Sequence, residues 1–266
     1  MWSLSLLKGQ QEDYLLIQLP EEKKDLIIPL FKKTQPNRSA LGCYLNGKMT
    51  GKTFVDDLNA PTKAIIKMDM SWTYISDDAD LPWIEETLRG IIKTAWIQVV
   101  WPPERKGQYP LTELGKVIPR HEYIERKEPL QKPRDAQIVP FSSECFDKLE
   151  PDFQEFHIAH YGSKEKFLEQ AFGFYAVENG EICSEFESAF TSNGYTEIGI
   201  YTFDPHRKKG YAYAACVRGL EELDKKGLKG IWACDVENTE SMQLAAKLGF
   251  INPVEYDFIF FPQKND

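Results

Sequence analysis

The stretch that decides the fold is Tyr195–Ala215, which reads YTEIGIYTFDPHRKKGYAYAA. Its first half alternates between two sets of residues and is rich in β-branched and aromatic side chains, so it predicts a strand. Asp204-Pro205 ends this strand, because proline has no N–H for the ladder and restricts the residue before it. A helix is predicted to follow, from the basic turn to about Lys225.

The strand, the basic turn and the helix start together form an arrangement that suits an anion. Arg207, Lys208 and Lys209 are positively charged, and Gly210 lets the backbone approach a ligand without a Cβ in the way. The first N–H groups of a helix have no partner within the helix, and the helix dipole favours negative charge there. The residues therefore predict a phosphate-binding turn.

Length and composition are typical of a globular protein. A chain of 266 residues, 42% hydrophobic and 27% charged, allows one large domain or two ordinary ones. We expect no membrane span and no signal peptide, because no run of about 20 apolar residues occurs and the N-terminus is wrongly flanked. The five cysteines are scattered and never form Cys-x-x-Cys, which argues against disulfides or zinc and favours the cytoplasm.

The net charge of −9 is unevenly distributed. Residues 1–135 carry 20 basic and 19 acidic residues, whereas residues 136–266 carry 12 and 22. This surplus of acid argues against nucleic acid or an anionic membrane as partner. The surplus of acidic residues in the second half could bind a cationic acceptor, and it could equally serve only to keep the protein soluble.

The first half predicts an α/β domain without a clear chemical motif. A helix start is predicted at 20–25, strand-like segments near 40–46, 53–56, 63–68, 72–75, 97–101 and 121–124, and a helix from Leu81 to about Lys93. Residues 126–134 have the composition of a linker. We therefore predict one domain over 1–130 and a second over 136–266, with the boundary at 130–136.

One tempting motif in this half is the stretch GKMTGKT at 47–53, which is similar to a phosphate-binding loop. That loop needs a glycine five residues before Gly51, and Asn46 stands there. The stretch therefore predicts a hairpin or turn, and a nucleotide-dependent kinase is excluded.

The second half has a regular order of elements. A strand is predicted at 136–140, helices within 142–149, 151–161 and 163–171, strands at 173–177 and 181–189, and a hairpin turn at 178–180. After the strand-turn-helix unit come a strand at 228–234, a helix ending at Leu248-Gly249, and a strand at 254–261. With the first helices grouped, the order is β-α-α-β-β-β-α-β-α-β.

Three elements in this order resemble the GNAT superfamily of acyl-CoA-dependent N-acetyltransferases. They are the strand at 197–203, the turn PHRKKGYA at 205–212, and the pattern Asn238-x-x-Ser241-x-x-Leu244-x-x-Lys247-Leu-Gly-Phe250. The resemblance covers residues 136–266 and implies an α+β fold with a mixed, mostly antiparallel sheet and helices on both faces. The first half is similar in size to the extra domain of two-domain members such as zwittermicin-resistance acetyltransferases. It is interpreted as a degenerate copy of the fold, with an unrelated α/β module as the alternative.

The resemblance also implies an activity and a site. The activity is direct transfer of acetyl from acetyl-CoA to a primary amine of a small molecule or peptide, by a cytoplasmic monomer or homodimer without a metal. The implied coenzyme contacts are the backbone of Tyr201, Thr202 and Phe203 for pantetheine, and Asn238 and Ser241 on the other wall. For the phosphates they are Arg207, Lys208, Lys209, Gly210, Tyr211 and Ala212.

The catalytic groups are less clearly marked. An acceptor amine with a pKa near 10 must lose a proton before it can attack, and Glu197 is the first candidate for the base. A solvent-facing strand position is the alternative interpretation of Glu197, and Asp235 is a further candidate base. Glu185, Glu187, His157 and His160 could line an acceptor pocket. The two histidines predict no metal site, because a third ligand is not identifiable.

One position departs from the family pattern. Many members carry a tyrosine seven residues after the asparagine, where it protonates the departing thiolate, but Ala245 stands at that place here. Tyr201, Ser241 or Tyr211 could replace it, or the thiolate could leave unaided, since a thiol of pKa near 8.5 is a fair leaving group. Ala245 also keeps open a protein that binds or senses CoA without catalysis.

Overall fold

A mixed sheet of twelve strands runs through both halves of the chain. A computed structural model describes residues 16–127 and 133–264. The strands are β1 (Gln18–Leu19), β2 (Gly51–Val55), β3 (Ala64–Met68), β4 (Trp72–Ile75), β5 (Ile97–Trp101), β6 (Lys116–Tyr123), β7 (Glu125–Arg126), β8 (Gln137–Pro140), β9 (Phe172–Glu178), β10 (Glu181–Ser192), β11 (Tyr195–Thr202), β12 (Lys229–Asp235), β13 (Phe250–Ile251) and β14 (Val254–Phe261). The order in the sheet is β1-β2-β3-β4-β5-β14-β6-β12-β11-β10-β9-β8, and β7 and β13 pair separately.

Helices cover both faces of this sheet. They are α1 (Arg38–Leu45), α2 (Leu81–Ile92), α3 (Ser143–Phe146), α4 (Pro151–Tyr161), α5 (Lys164–Gln170), α6 (Tyr211–Lys225) and α7 (Thr239–Lys247), with short 3₁₀ turns at Glu21–Leu26, Ile28–Leu30, Pro103–Arg105 and Asp204–His206. Among the paired strands, β4–β5 and β11–β12 are parallel and the others are antiparallel. The predicted α+β class, with a mostly antiparallel sheet and helices on both faces, is confirmed. No helix of the described ranges is long and apolar enough to cross a membrane.

The expected strand near 40–46 is wrong, since these residues form α1. Residues 39–44 of this helix are all buried, so its apolar residues do not show the 3.6-residue period that marks a half-exposed helix. The apolar run alone was compatible with a buried strand. This helix matters for the site, because it packs against β10 and β11.

Most other elements lie where the sequence predicts them. The strands 72–75, 97–101 and 254–261 and the helix 151–161 have the predicted bounds, and α6 ends at Lys225. The expected helix after residue 20 is instead two 3₁₀ turns interrupted at Pro29, and the strand near 121–124 begins five residues earlier, at Lys116. Residues 128–132 of the expected linker lie outside the described residues, and the domain boundary at 130–136 stays a prediction.

The C-terminal strand β14 lies between two strands of the first half. It pairs with β5 on one side and with β6 on the other, and β6 in turn pairs with β12. Tyr256 and Phe258 pack into the apolar cluster beside α1, while Ile259 and Phe261 pack into the cluster beside α2. Strands buried on both faces carry near-continuous apolar runs, which explains the sequence YDFIFF at 256–261.

Because β14 joins strands from both halves, we expect Phe258→Ala to lower the stability of the whole chain. Phe258 is 2% exposed, and its ring lies edge-on to Trp72 at 5.6 Å between centroids. Removing a buried phenylalanine ring costs about 3–5 kcal/mol of unfolding free energy. Urea denaturation followed by tryptophan fluorescence and by circular dichroism should show one shifted transition. Val254→Ala, on the exposed end of the same strand, is the control, and two separate transitions would contradict the expectation.

Candidate active site

The site is built where β11 and β12 move apart. The two strands are paired in parallel from Tyr195 to Glu197, opposite Lys229 to Ile231. Beyond that point β11 pairs only with β10, and β12 pairs only with β6. A gap therefore opens between the C-terminal ends of two neighbouring strands in the middle of the sheet.

The backbone of β11 turns groups towards this gap, where the Thr202 carbonyl accepts a hydrogen bond from the Arg207 guanidinium at 3.2 Å. The N–H of Phe203 donates to the Cys183 carbonyl at 3.1 Å, which sets the phase of the antiparallel ladder with β10. Hydrogen-bonded pairs recur at every second residue, so Tyr201 also faces β10, and Ile200 and Thr202 face the gap. Of the three residues predicted to contact pantetheine through their backbone, Tyr201, Thr202 and Phe203, Thr202 alone turns its backbone towards the gap. Ile200 was not predicted to make such a contact, although the alternation along the strand places Ile200 on the same side as Thr202.

The basic turn lies at the end of this gap. Lys208 and Gly210 adopt left-handed conformations, with φ of 60° and 86°, and the helix α6 begins directly after them. Ala214 is the first residue of α6 whose N–H bonds to the turn, at 3.1 Å from the Gly210 carbonyl, and no side chain caps the helix. The N–H groups of Tyr211 and Ala212 are therefore available to an anion.

A groove of about 790 Å³ joins the turn to α7. Asn238 caps α7 by accepting the Ser241 N–H at 3.0 Å, and the Ser241 hydroxyl accepts a hydrogen bond from the Trp232 indole at 3.1 Å. Across the groove, the Lys208 ammonium lies 3.5 Å from the Glu240 carboxylate. Among the predicted residues, those that line the groove are Tyr201, Thr202, Arg207, Lys208, Gly210, Tyr211, Ala212, Asn238 and Ser241. Phe203, Lys209 and Glu197 do not line it.

Tyr201 separates this groove from a neighbouring cavity of about 540 Å³. Its side chain is 40% exposed, and its ring packs against Phe153 of α4 and Phe203 at centroid distances of 4.9 and 5.1 Å. Phe156 stacks on Phe153 and is itself 49% exposed. An aromatic surface thus stands beside the groove, on the side of α4.

Glu197 lies at the point where β11 and β12 part, on the face of the sheet covered by α1. It is 6% exposed, so the solvent-facing interpretation of this position does not hold. Its two oxygens accept hydrogen bonds from the Asn37 amide and the Ser39 hydroxyl, both at 3.2 Å. Burial, together with the nearby charge of Glu122, raises its pKa to about 8. A carboxyl group with such a pKa can take up and release protons near neutral pH.

Glu185 and Glu187 form a second buried group on β10. The His157 imidazole lies 3.2 Å from Glu185, and the Tyr161 hydroxyl donates to Glu187 at 2.5 Å. The potential ligand atoms of His157, Glu185 and Glu187 lie within 4.8 Å of one another, so these three side chains could hold a metal ion, a grouping that the sequence did not reveal. Burial and the charge of Glu185 raise the pKa of Glu187 to about 7. Burial lowers the pKa of His157, whereas the interactions of its imidazole with Glu185 raise that pKa. The net result is a raised pKa for His157.

The remaining sequence candidates lie elsewhere. Ala245 is fully buried in the apolar cluster under α6 and α7, so its methyl group belongs to the core. Asp235, at the C-terminal end of β12, forms an ion pair with Arg120 of β6 and does not line the groove. His160 is one turn from His157, and its ring Nδ1–H donates to the Phe156 carbonyl of its own helix at 2.7 Å.

Sequence reasoning missed several residues that surround the site. Arg134 donates to the Lys209 carbonyl at 2.8 Å and lies over the Tyr211 ring, so it braces the basic turn. Asn37 and Glu122 contact one another and approach Glu197 from the first half. Asn37 lies in a polar stretch, residues 34–39, whose composition indicates a turn. No local pattern could connect this stretch to Glu197, which lies so far away in the sequence.

Comparisons with known proteins agree with this geometry. A family model described as GNAT acetyltransferase matches residues 108–259, which is more than half of the chain and includes β6. The chain is 28% identical over 134 residues to YdfB of Bacillus subtilis (strain 168), which is described as an uncharacterized N-acetyltransferase. That match covers 50% of this chain, and the chain spans about half (51%) of that relative's length.

Solved structures share the fold over nearly the whole chain. A GCN5-related N-acetyltransferase-like protein from Streptococcus suis 89/1591 has a TM-score of 0.65 at 18% identity, and the match covers 90% of this chain and 98% of that one. A tandem GNAT protein from the clavulanic acid biosynthesis pathway has a TM-score of 0.60 at 12% identity, with 95% and 99% covered. At these identities the likeness concerns the fold, and it confirms the fold expected from the motifs.

The raised pKa of Glu197 predicts a pH-dependent difference in stability between the wild type and Glu197→Gln. Below about pH 4.5 the carboxyl group is protonated in both the folded and the unfolded chain, and the two proteins should differ little. Between pH 4.5 and about 8 only the unfolded chain releases the proton, so the wild type loses stability relative to the variant. The difference should reach a few kcal/mol above pH 8, since one pKa unit corresponds to about 1.4 kcal/mol.

Urea denaturation of both proteins at steps between pH 4.5 and 9 measures this difference. Glu155→Gln, an exposed glutamate of α4, is the control and should give a flat difference across the range. A flat difference for Glu197→Gln as well would contradict the pKa assigned to Glu197.

Proposed function

Since the chain belongs to the GNAT acetyltransferase family, we propose that it transfers the acetyl group of acetyl-CoA directly to a primary amine of a small molecule or peptide. The observation that supports this proposal most is the groove in the gap between β11 and β12, which ends at the uncapped start of α6. The acceptor amine would reach the gap from the opposite face, on which Glu197 lies.

The chain offers a chemically suitable set of groups for the donor. The N–H groups of Tyr211 and Ala212 and the left-handed turn at Lys208–Gly210 would hold the pyrophosphate, and Gly210 leaves its approach open. The backbone of Ile200 and Thr202 would pair with the amide groups of pantetheine. Asn238 and Ser241 would line the opposite wall. Lys208 and Arg207 already pair with acidic neighbours, so their charges would add less.

Glu197 is the base in this proposal. When bound, acetyl-CoA supplies an activated acetyl group whose C–S bond breaks as the amine nitrogen forms the new C–N bond. Glu197 accepts the proton that the ammonium group must lose, directly or through water. With a pKa of about 8, Glu197 is ionised in about a tenth of the molecules at pH 7, and this fraction rises with pH. Proton transfer to it from an ammonium group of pKa near 10 is uphill by only about two pKa units.

Tyr201 is the hydroxyl group placed best to protonate the departing thiolate. Its side chain is half exposed at the groove, whereas the Ser241 hydroxyl is engaged by Trp232 and Tyr211 is buried. Because a thiol is a fair leaving group, loss of this hydroxyl should have a smaller effect than loss of Glu197.

We further propose that the protein acts in the cytoplasm as a monomer or homodimer, without nucleic acid or membrane as partner. The free state of all five cysteines and the acidic second half support this placement. The acidic surface also favours a cationic amine as the acceptor.

Gly210→Ala should weaken acetyl-CoA binding about tenfold, which corresponds to about 1.4 kcal/mol. A Cβ would strain the left-handed turn and would stand where the pyrophosphate approaches. Gly227→Ala is the matched control, because Gly227 is also left-handed, with φ of 67°, but lies in open space beyond the other end of α6. Both variants should lose similar stability, and isothermal titration calorimetry should show weakened binding only for Gly210→Ala. Equal affinities for the two variants would contradict this site.

Release of free thiol from acetyl-CoA in the presence of a panel of amines tests the reaction itself. An active acceptor should give turnover whose kcat/KM rises as the pH passes through about 8, and Glu197→Gln should lower it by about 10²–10⁴-fold. Acetyl-CoA affinity should not change in this variant, since Glu197 does not line the groove. Tight acetyl-CoA binding without turnover for any amine would favour a protein that senses CoA.

A further inference from the structure

Asn37 connects the two halves of the chain beside the proposed base. It is fully buried and left-handed, with φ of 51°. Its side-chain amide donates to Glu197 at 3.2 Å, and its backbone N–H donates to Glu122 at 2.6 Å. Its two oxygens accept the hydroxyl groups of Tyr256 and Tyr74, at 2.8 and 3.0 Å. All four polar groups of Asn37 are therefore used, and its side-chain amide both donates to Glu197 and accepts from Tyr256.

Ser39 supplies the second contact to Glu197. Its hydroxyl lies 3.2 Å from Oε1 of Glu197, while the Asn37 amide contacts Oε2. Each oxygen of the buried carboxyl group thus receives one hydrogen bond from the start of α1. Two such bonds fix the orientation of the carboxyl group and favour its ionised form.

Glu122 acts on Glu197 in the opposite sense. It is 1% exposed, and it is held by the Arg38 guanidinium at 3.1 Å and by the Asn37 N–H. Its negative charge raises the pKa of Glu197, whereas the charge of Arg120 on the same strand lowers it. Three other titratable groups interact with Glu197: Cys43 of α1, Tyr74 of β4 and Tyr256 of β14.

This arrangement is costly to maintain as a structural device alone. Two buried carboxyl groups that share one asparagine lose hydration, and apolar side chains of similar volume often stabilise a protein as well or better. Buried carboxyl groups whose neighbours shift the pKa in opposite directions are instead common at functional sites, where the pKa must suit a proton transfer.

We propose that Asn37, Ser39 and Glu122, all from the first 135 residues, are positioning residues that hold Glu197 for the transfer. This inference rests on the proposed function, in which Glu197 accepts the proton of the amine. The first half of the chain then has a direct part in the chemistry, although it carries no motif of its own.

Two variants test the proposal because they should act in opposite directions. Ser39→Ala removes a hydrogen bond to the ionised form, so the pH profile of kcat/KM should move to higher pH by about half to one unit, the effect of one ordinary hydrogen bond. Glu122→Gln removes the neighbouring negative charge but can still accept from Asn37, so the profile should move to lower pH. Ser163→Ala, which loses a similar hydrogen bond at the start of α5, is the control and should keep the wild-type profile.

Ser39→Thr keeps a hydroxyl group and should restore the wild-type profile, which a purely structural role of the small side chain would not produce. If Ser39→Ala does not fold, Glu122→Gln decides the test by itself. An active wild type whose profile stays unmoved in these variants would overturn the proposal. A wild type without any acetyl transfer would instead contradict the proposed function, and the two failures are therefore distinct.

Discussion

The separation of β11 from β12 is the constraint on which the site depends. Strands in the middle of a sheet normally satisfy each other's backbone groups, and an unpaired buried group costs free energy. Here each strand keeps its outer neighbour, β10 for β11 and β6 for β12, and only the groups that face the gap lose a strand partner. A sheet can hold such a gap only if both outer pairings are strong enough to hold the strands apart.

The first half of the chain supplies one of those pairings. β6 lies between β12 and β14, and β14 returns from the C-terminus to lie between β5 and β6. The two halves are therefore interleaved in one sheet, and α1 of the first half covers β10 and β11 beside the gap. This explains why the partners of Glu197 come from residues that carry no recognisable motif.

Much of the local structure could be predicted from the sequence, and most of the long-range structure could not. Alternation in 195–202 and the Asp204-Pro205 break define a strand and its end, and Gly210 marks the start of a helix, because these signals are local. Periodicity indicates which face a residue occupies but not which strand lies beside it. The contact between Asn37 and Glu197 spans 160 positions and depends on a helix that the apolar pattern presented as a strand. The groove beside the basic turn was therefore predictable, and the environment of Glu197 was not.

The environments of the buried carboxyl groups explain why the chemistry is assigned to Glu197. Glu187 also has a raised pKa, but the Tyr161 hydroxyl donates a hydrogen bond to it. The imidazole of His157 lies beside Glu185 and can balance the negative charge of Glu185 and Glu187. The Oε2 atom of Glu187 would lie 3.2 Å from a Cβ at position 199, so the absence of a side chain at Gly199 gives the Glu187 carboxyl group room. That pair is enclosed by its own partners under α4. The hydrogen bonds that hold Glu197 come from the neutral donors Asn37 and Ser39, and Glu197 lies at the point where the gap begins. The positive charge of Arg120 lowers its pKa without an ion pair between the two side chains. A carboxyl group that is oriented but not neutralised can exchange a proton with a substrate, and Glu197 is the one in this arrangement.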